Sequence, residues 1–214
     1  MIKLYLDIET LPGSETLREE IESEIKHPGN ISRPERIKQW EDEERPSKVE
    51  EEYRKTALRG HQGRILCIGY IKERPQGVSE GVITGTEPEL LRGFWGIADD
   101  VDLFIGFNIF DFDFKFIIQR SIVYGIKPSR ELSFARYRND PIYDVMQEWT
   151  LWSRDNISLN DLCKALRIES PKGELDGSKV YDYYLQGKHQ EIYEYCLKDV
   201  RATMQIYKKM NFLS

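Results

Sequence analysis

The sequence predicts an α/β fold in which helices cover a central sheet and a helical insertion follows the first strand. Three observations favour this class: an alternating apolar segment at the N-terminus, two more strand-like runs after a charge-rich region, and helix-like segments that alternate with strand-like ones farther along. This order of elements is typical of sheets covered by helices. With 214 residues, 40% of them apolar, the chain can bury one sizeable core, so we expect residues 1–214 to form a single domain.

The first predicted element is the strand KLYLDIET at residues 3–10. Leu4, Leu6 and Ile8 fall on one face of such a strand, and more polar side chains fall on the other. This alternation indicates a strand with one buried face.

A polar, charge-dense region follows at residues 13–63. It contains two helix-like pieces, SETLREEIESEIK and PSKVEEEYRKTAL, separated by the Pro- and Gly-bearing stretch HPGNISRPERI. We expect this region to be a mainly helical insertion on the surface of the domain.

The rest of the chain alternates between strand and helix patterns. The runs RILCIGYI and GVSEGVITG predict strands that neighbour the first, and a helix from Pro88 to Ala98 precedes the buried strand VDLFIGF. FDFKFIIQRSIVYG has helical spacing and stops at Gly125, and SLNDLCKAL predicts a helix with Ser158 as its N-cap. The stretch from Ser178 to Met210 is mainly helical, with Gly187 separating two pieces.

Charge and cysteine content narrow the classes of function. A net charge of -6 argues against a broad basic surface that grips a phosphate backbone, although bound divalent cations would supply positive charge that the composition does not show. Cys67, Cys163 and Cys196 lack the spacing of disulfide frameworks or zinc sites, so we expect reduced core residues. No apolar run approaches the roughly 20 residues that cross a bilayer, and the N-terminus lacks signal-peptide features, so we expect a cytoplasmic protein.

Asp7 and Glu9 are the first candidates for chemistry. They lie two residues apart on a strand, so their side chains leave the same face and can share a cation. Asp42 and Glu44 have the same spacing, but they lie in the solvated charge run QWEDEERP, whereas Asp7 and Glu9 end an apolar strand.

A second candidate is the stretch GFNIFDFDFKFI at residues 106–117, which places two aspartates among phenylalanines. A buried carboxylate needs a hydrogen-bonding partner or a cation. Asn108 and Asp113 bracket the junction of a predicted strand and helix, where an aspartate can also act as a helix cap. A cap is the favoured interpretation for Asp111, and for Asp113 both interpretations stay open.

Tyr195 and Asp199, in EYCLKDV, are the third candidate. They lie four residues apart on a predicted helix and therefore share a face. Taken alone, the pair fits an amphipathic terminal helix with the tyrosine packed and the aspartate solvated.

In this order, the three segments resemble the three motifs of DnaQ-like 3′-5′ exonucleases, whose site is made from Asp, Glu, Asp and Asp. LDIET resembles the first motif, GFNIFDFDF the second and YCLKDV the third. The resemblance is strongest to the exonuclease domain of family B DNA polymerases and its stand-alone relatives, and it is least specific over residues 13–63. Tyr195 stands four residues before Asp199 and Glu194 stands five before it, so the chain resembles the tyrosine (DEDDy) variant.

The resemblance implies an RNase H-like mixed sheet of about five strands and a metal-dependent 3′-5′ exonuclease. Its substrate would be the 3′ end of DNA, single-stranded or frayed, and its product nucleoside 5′-monophosphates. It also implies two divalent cations, Mg²⁺ or Mn²⁺, which prefer oxygen ligands. Asp7, Glu9 and Asp199 would hold one ion and Asp7 the other, with Asp113 acting through water, while Asp111 would be a bystander.

Further roles follow from the same resemblance. Tyr195 would orient the attacking water, because a tyrosine with an ordinary pKa near 10 is a poor base at neutral pH. Thr10 and Leu11 would contact the terminal nucleotide, and Asn108 would also contact the substrate. Phe112 offers a stacking surface for a terminal base, with plain core packing as an equal alternative.

Two other functions stay open. An RNA exonuclease on the same fold is one, because no residue is an identifiable reader of the 2′-hydroxyl. The other is a nucleic-acid-binding or proofreading module whose insertion docks onto a partner, such as a polymerase or a repair protein. The sequence does not specify the pathway or the oligomeric state.

Overall fold

A computed structural model describes residues 1–171, 173 and 175–213, and within them the central sheet has five strands. The strands are β1 (Lys3–Leu11), β2 (Arg64–Arg74), β3 (Gly77–Ile83), β4 (Leu103–Gly106) and β5 (Ile142–Asp144). Their order in the sheet is β3-β2-β1-β4-β5. β1, β2 and β3 pair antiparallel, whereas β4 lies parallel to both β1 and β5. The sheet is therefore mixed, as predicted.

The helices of the described residues fall into two groups. The insertion holds α1 (Glu15–Glu24), α2 (Pro34–Glu43), α3 (Arg45–Lys55) and a 3₁₀ turn (Thr56–Leu58). The remaining α-helices are α4 (Glu87–Ala98), α5 (Asp113–Val123), α6 (Val145–Trp149), α7 (Leu159–Leu166), α8 (Val180–Leu185) and α9 (His189–Met210). Among the described residues, no helix combines the length and apolar character that a membrane span requires.

Several helix ends lie where the sequence predicts them. Thr86 and Glu89 form a capping box at the start of α4, and the Ser158 hydroxyl caps α7. Gly125, with a φ of +62°, follows the end of α5, and Gly187, with a φ of +73°, separates α8 from α9. Glycine adopts this left-handed conformation at little steric cost, which is why it ends these helices.

The sheet is covered on both faces. Leu4, Leu6 and Ile8 pack with residues of α4 and α5 on one face, as their alternation predicts. On the other face, Tyr5 is buried with residues of α7 and α9. The prediction that only one face of β1 is buried is therefore wrong, because β1 lies in the middle of the sheet, where helices cover both sides.

Two further features were not predicted. α2 occupies part of a region that was expected to separate two helices, and it begins with Pro34, which suits the first turn of a helix. β5 has three residues, too few to show a periodicity, and it is a strand because it pairs with β4. The three cysteines are buried and free, which confirms the prediction of reduced core residues.

Candidate active site

The acidic pair lies at the end of β1, on the face that α9 covers. Asp7 pairs in register with Gly69 of β2, and Glu9 pairs with Cys67. The register shifts directly after Glu9, between Glu9 and Thr10. Such irregularities re-aim side chains and are frequent beside active sites, so the local backbone suits a functional pair.

Asp113 is the first residue of α5 and is buried against β1. Its Oδ1 accepts a hydrogen bond of 3.0 Å from the backbone N–H of Ile8, which lies between Asp7 and Glu9. β4 pairs with β1 only as far as Tyr5, so the Asp113 carboxylate takes the place of a strand partner for Ile8. This contact places the second predicted motif, which contains Asp113, beside the first, which contains Asp7 and Glu9.

Asp111 lies outside this cluster. Its carboxylate pairs with Arg136 at 2.7 Å in an exposed position. The residue at the N-cap of α5 is Phe112, which makes no side-chain cap hydrogen bond. The cap interpretation of Asp111 is therefore wrong, because α5 starts after it and its side chain turns to an arginine.

α9 brings the third motif to the same place. The Tyr195 hydroxyl interacts with the Asp199 carboxylate, as their shared helix face predicts. Asp199 is buried, and its Oδ1 lacks a hydrogen-bond partner among the residues that the structure describes. The alternative of a solvated aspartate on a terminal helix is thus wrong for Asp199.

Gly69 permits this approach of α9 to the sheet. A Cβ atom at position 69 would lie 2.8 Å from the Cys196 Sγ and 3.2 Å from the Val200 Cγ2. Since Gly69 pairs with Asp7 in the sheet, the missing side chain lets the helix that carries Asp199 lie directly against the strand that carries Asp7.

Burial raises the pKa of all four carboxylates, and the charges of neighbouring carboxylates add to the rise for Asp7, Glu9 and Asp113. Burial, followed by the charges of Asp113 and Asp199, raises the pKa of Asp7 well above its ordinary range. Burial is also the main reason why the pKa of Glu9 is raised. Burial raises the pKa of Asp113 to about 8 and the pKa of Asp199 to about 7. Converging carboxylates take up protons or bind cations to relieve this repulsion.

Cys196 was not predicted to be part of the site. Its Sγ lies 3.4 Å from the backbone oxygen of Asp7 and 3.5 Å from the Asp7 Oδ2. One ligand atom from each of Asp7, Glu9 and Cys196 can be chosen so that all three lie within 4.8 Å of one another. The thiol hydrogen bond offsets a small part of the rise in the pKa of Asp7, so Cys196 belongs to the immediate surroundings of the acidic pair.

These residues fit a site for hard divalent cations. Asp7 and Glu9 supply neighbouring oxygen donors, which Mg²⁺ and Mn²⁺ prefer, and the charges of Asp113 and Asp199 reach the same place. The buried oxygen of Asp199 that lacks a hydrogen-bond partner in the described part of the chain is suited to a metal bond. The raised pKa values show that burial disfavours the charged forms of these carboxylates, which a bound cation would offset.

Two of the four residues predicted to contact substrate, Thr10 and Phe112, line a cleft with Glu9. The Thr10 hydroxyl donates a hydrogen bond of 2.7 Å to the carbonyl oxygen of Ala57, and Leu11 is buried in a small apolar cluster. Asn108 adopts a left-handed backbone conformation with a φ of +59° in the loop before α5. Phe112 is half-buried and lines a cleft together with Glu9. Their contacts with a nucleotide stay predictions.

Sequence comparison agrees with this geometry. Residues 58–214 match the profile of a family described as "predicted 3′-5′ exonuclease related to the exonuclease domain of PolB". The chain belongs to this family. The matched span includes Asp113, Tyr195 and Asp199, whereas Asp7 and Glu9 precede it. Comparison with curated proteins gives no match.

The structure of this family member is similar to part of a DNA polymerase of known structure. The chain is similar to the family B DNA polymerase from the hyperthermophilic archaeon Pyrobaculum calidifontis, with a TM-score of 0.64 and 15% sequence identity. The similarity covers 99% of this chain and 24% of the polymerase, so the chain spans about a quarter of that protein's length. At this identity the likeness concerns the fold, and it confirms the predicted RNase H-like, five-stranded α/β architecture.

The exonuclease family member also contains a buried aspartate that the sequence pattern did not indicate. Asp144 ends β5, and its Oδ1 accepts hydrogen bonds from the backbone N–H groups of Asn108, at 3.1 Å, and Met146, at 3.0 Å. Its Oδ2 accepts one from the N–H of Phe110 at 3.2 Å. Asp144 thereby anchors the loop that leads to Asp113. The one signal available in the sequence was a short apolar run that ends in aspartate, PIYD.

Proposed function

We propose that the protein is a metal-dependent 3′-5′ exonuclease of the DEDDy type that acts on the 3′ end of single-stranded or frayed DNA and forms one domain. One observation carries this proposal: Glu9 of β1, Asp113 of α5 and Asp199 of α9 lie close enough to Asp7 for their charges to raise its pKa, and Tyr195 lies beside the same group. Carboxylates that converge with no Lys or Arg ion pair among the residues the structure describes point to function, since their repulsion costs folding free energy.

Asp7, Glu9 and Asp199 would hold one divalent cation, and Asp7 a second, with Asp113 acting through water. The two cations, when bound, would lower the pKa of the attacking water and stabilise the leaving 3′ oxygen. Mg²⁺ and Mn²⁺ are both suited to this set of oxygen donors.

Tyr195 contributes a hydroxyl rather than a base. Burial, together with the charges of Asp199 and Glu9, raises its pKa above the ordinary value for tyrosine, so the hydroxyl stays protonated. The hydroxyl proton interacts with the Asp199 carboxylate, and the hydroxyl oxygen can accept a hydrogen bond from a water molecule and hold it in line with the scissile phosphorus. The attacking water loses a proton to solvent as its oxygen bonds to phosphorus, and the bond from phosphorus to the 3′ oxygen of the preceding nucleotide breaks. That 3′ oxygen takes up a proton from solvent, and the terminal nucleotide leaves as a 5′-monophosphate.

Other residues would position the DNA end. Phe112 presents a half-buried aromatic side chain next to Glu9, and stacking on an aromatic ring accepts any base. Thr10 lines the same cleft, and Thr10, Leu11 and Asn108 are proposed to complete the contacts to the terminal nucleotide.

The direct test is digestion of a 5′-labelled single-stranded DNA oligonucleotide with Mg²⁺ and, separately, with EDTA. We expect a ladder that shortens from the 3′ end with Mg²⁺ and intact DNA with EDTA. RNA of the same sequence, blunt duplex DNA and closed circular single-stranded DNA complete the set. Preference for RNA would redefine the substrate, and efficient nicking of the circle would replace the exonuclease proposal with an endonuclease.

A further inference from the structure

A sulfur atom lies directly beside the acidic pair of β1. The Cys196 Sγ is 3.5 Å from the Asp7 Oδ2, and one donor atom each from Asp7, Glu9 and Cys196 fits within a mutual separation of 4.8 Å. Ligands of one Zn²⁺ ion lie about 2.0–2.3 Å from it, so two of them are at most roughly 4.5 Å apart. The two oxygens and the sulfur are therefore within small side-chain rotations of a shared cation.

The position of this sulfur atom is fixed by the packing of α9 on the sheet. Cys196 is fully buried, and its Sγ also lies 3.4 Å from the backbone oxygen of Asp7. A Cβ atom on Gly69 would come within 2.8 Å of the same sulfur. Because position 69 is glycine, the thiol can point at β1, and the sulfur is held beside the carboxylates before any ion binds.

A fourth donor follows on the same helix. Asp199 lies three residues after Cys196, so both side chains lie on one face of α9. Asp199 is only 8% exposed, and its Oδ1 has no hydrogen-bond partner in the part of the chain that the structure describes. Besides burial, the charge of Asp199 raises the pKa of both Asp7 and Glu9, which places this carboxylate with the other two. The donors thus comprise one sulfur and three carboxylates.

A cation can reach these donors from solvent. Glu9 lines a cleft of about 440 Å³ together with Thr10 and Phe112, and Asp7 is partly exposed. Cys196, by contrast, is fully buried. An ion that enters through the cleft therefore meets the oxygen donors before the sulfur.

Sulfur changes which cations such a site prefers. Mg²⁺ is a hard cation that takes oxygen ligands, whereas thiolate ligands select softer ions such as Zn²⁺. Zn²⁺ accepts cysteine sulfur and carboxylate oxygen in one four-coordinate set. Here the donors come from β1 and α9, which are far apart in the sequence, so no short cysteine spacing indicates the site.

We propose that Cys196 adds a sulfur ligand to Asp7 and Glu9 and thereby makes the site bind thiophilic divalent cations of the Zn²⁺ class. On binding, the thiol releases its proton to solvent and the thiolate sulfur bonds to the ion. With Asp199 as the fourth ligand the tetrahedral set is complete, and no open position is left for an attacking water. Such an ion excludes Mg²⁺ and blocks cleavage, and for this inhibitory effect the inference rests on the proposed function.

Co²⁺ is the probe for the sulfur ligand, because a thiolate bound to Co²⁺ gives a charge-transfer absorption in the near ultraviolet. In a titration of metal-free protein with Co²⁺ alone, we expect this absorption in the wild type and in Cys163→Ser, and none in Cys196→Ser or Cys196→Ala. Cys163 is the matched control, because it is also a buried free thiol but is not one of the three neighbouring donors.

Two further measurements support the assignment. Calorimetric titration should show Zn²⁺ affinity weaker by at least about ten- to a hundredfold in Cys196→Ser, since loss of a mere outer-shell partner costs that much. The double variant Cys67→Ser/Cys163→Ser keeps Cys196 as the only one of the chain's three thiols, so it should retain the Co²⁺ absorption. This variant tests the assignment even where the Cys196 variants fail to fold, which thermal melts reveal.

Zn²⁺ should also inhibit digestion of oligo(dT) by the wild type with Mg²⁺. A wild type that binds Co²⁺ without the absorption, loss of the absorption in the double variant, or equal Zn²⁺ affinities of the wild type and folded Cys196→Ser would overturn the inference and leave the exonuclease proposal intact. Sulfur-bound Co²⁺ in a wild type that does not digest DNA with Mg²⁺ would overturn the proposed function alone.

Discussion

The backbone N–H of Ile8 donates a 3.0 Å hydrogen bond to the Oδ1 of Asp113, so a carboxylate of the second motif holds the strand between the two acidic residues of the first. Asp113 therefore has a structural task in addition to its proposed catalytic one. The two tasks can be separated, because asparagine keeps the acceptor oxygen and loses the charge.

We predict that Asp113→Ala is less stable than Asp113→Asn by about 1–3 kcal/mol in free energy of unfolding, since alanine leaves the buried Ile8 N–H without an acceptor. Both variants lack the ionisable group, so the difference reports the hydrogen bond and not the charge. Urea unfolding in EDTA measures it. Equal stabilities would mean that water or another group satisfies Ile8.

The raised pKa values of Asp113, about 8, and Asp199, about 7, predict a pH dependence of stability without metal. In the unfolded chain both groups lose their protons near pH 4, whereas the folded protein keeps them to higher pH. The folded state thus binds more protons between about pH 4 and pH 8, and its stability from these groups falls as pH rises through this window.

Thermal melts in EDTA at pH 6 and pH 8.5 should show this loss, and the loss should be smaller in Asp199→Asn, which lacks one of the titrating groups. Mg²⁺ added at pH 8.5 should raise the Tm of the wild type, because a ligand that binds only the folded state stabilises it. Identical pH dependences for the wild type and Asp199→Asn would contradict the assignment of a raised pKa to Asp199.

Asp7→Ala and Asp199→Ala should each abolish digestion of DNA, because loss of a ligand leaves the cations misplaced. The fold should stay intact, and removal of one of several repelling buried charges should not lower the Tm. Asp42→Ala is the matched control, since Asp42 and Glu44 have the same spacing as Asp7 and Glu9 but are exposed. Digestion at the wild-type rate by Asp7→Ala, with unchanged circular dichroism, would refute the two-cation assignment.

Tyr195→Phe keeps the aromatic ring and deletes the hydroxyl that is proposed to orient the water. Lost positioning can cost on the order of a hundredfold in rate, so we expect turnover to fall by roughly ten- to a thousandfold with little change in Tm. Tyr193→Phe, on the same helix, is the control. The measurement is the rate of single-turnover digestion of a 3′-labelled oligonucleotide. A near-normal rate for Tyr195→Phe would mean that Tyr195 only packs and does not orient the water.

The periodicity of apolar and polar residues predicted those parts of the fold in which the interacting residues are close in sequence. The alternation in β1 placed Asp7 and Glu9 on one face, and the four-residue spacing placed Tyr195 beside Asp199, because strand and helix periods fix these relationships. The short β5 lacked such a period and exists through pairing with β4. Its length, three residues, is below what sequence periodicity can indicate.

The unpredicted parts of the site depend on tertiary contacts. Asp144 is buried because a loop some 35 residues earlier in the chain, at Asn108 and Phe110, directs its N–H groups at the carboxylate. Cys196 contacts Asp7 because Gly69 lets a helix lie against the sheet. Neither relationship leaves a regular spacing in the sequence, so composition and periodicity could not reveal them.

α9 fills the core beneath the sheet with Val200 and Ile206 while it carries Tyr195 and Asp199 to the carboxylate cluster. The same helix therefore completes both the hydrophobic interior and the site. A nascent or partly folded chain in which α9 has not yet seated would also lack Asp199 beside Asp7, and could not cleave nucleic acid. Nuclease activity, as proposed for this protein, would thus require that α9 has docked, and its recovery during refolding would report when α9 docks.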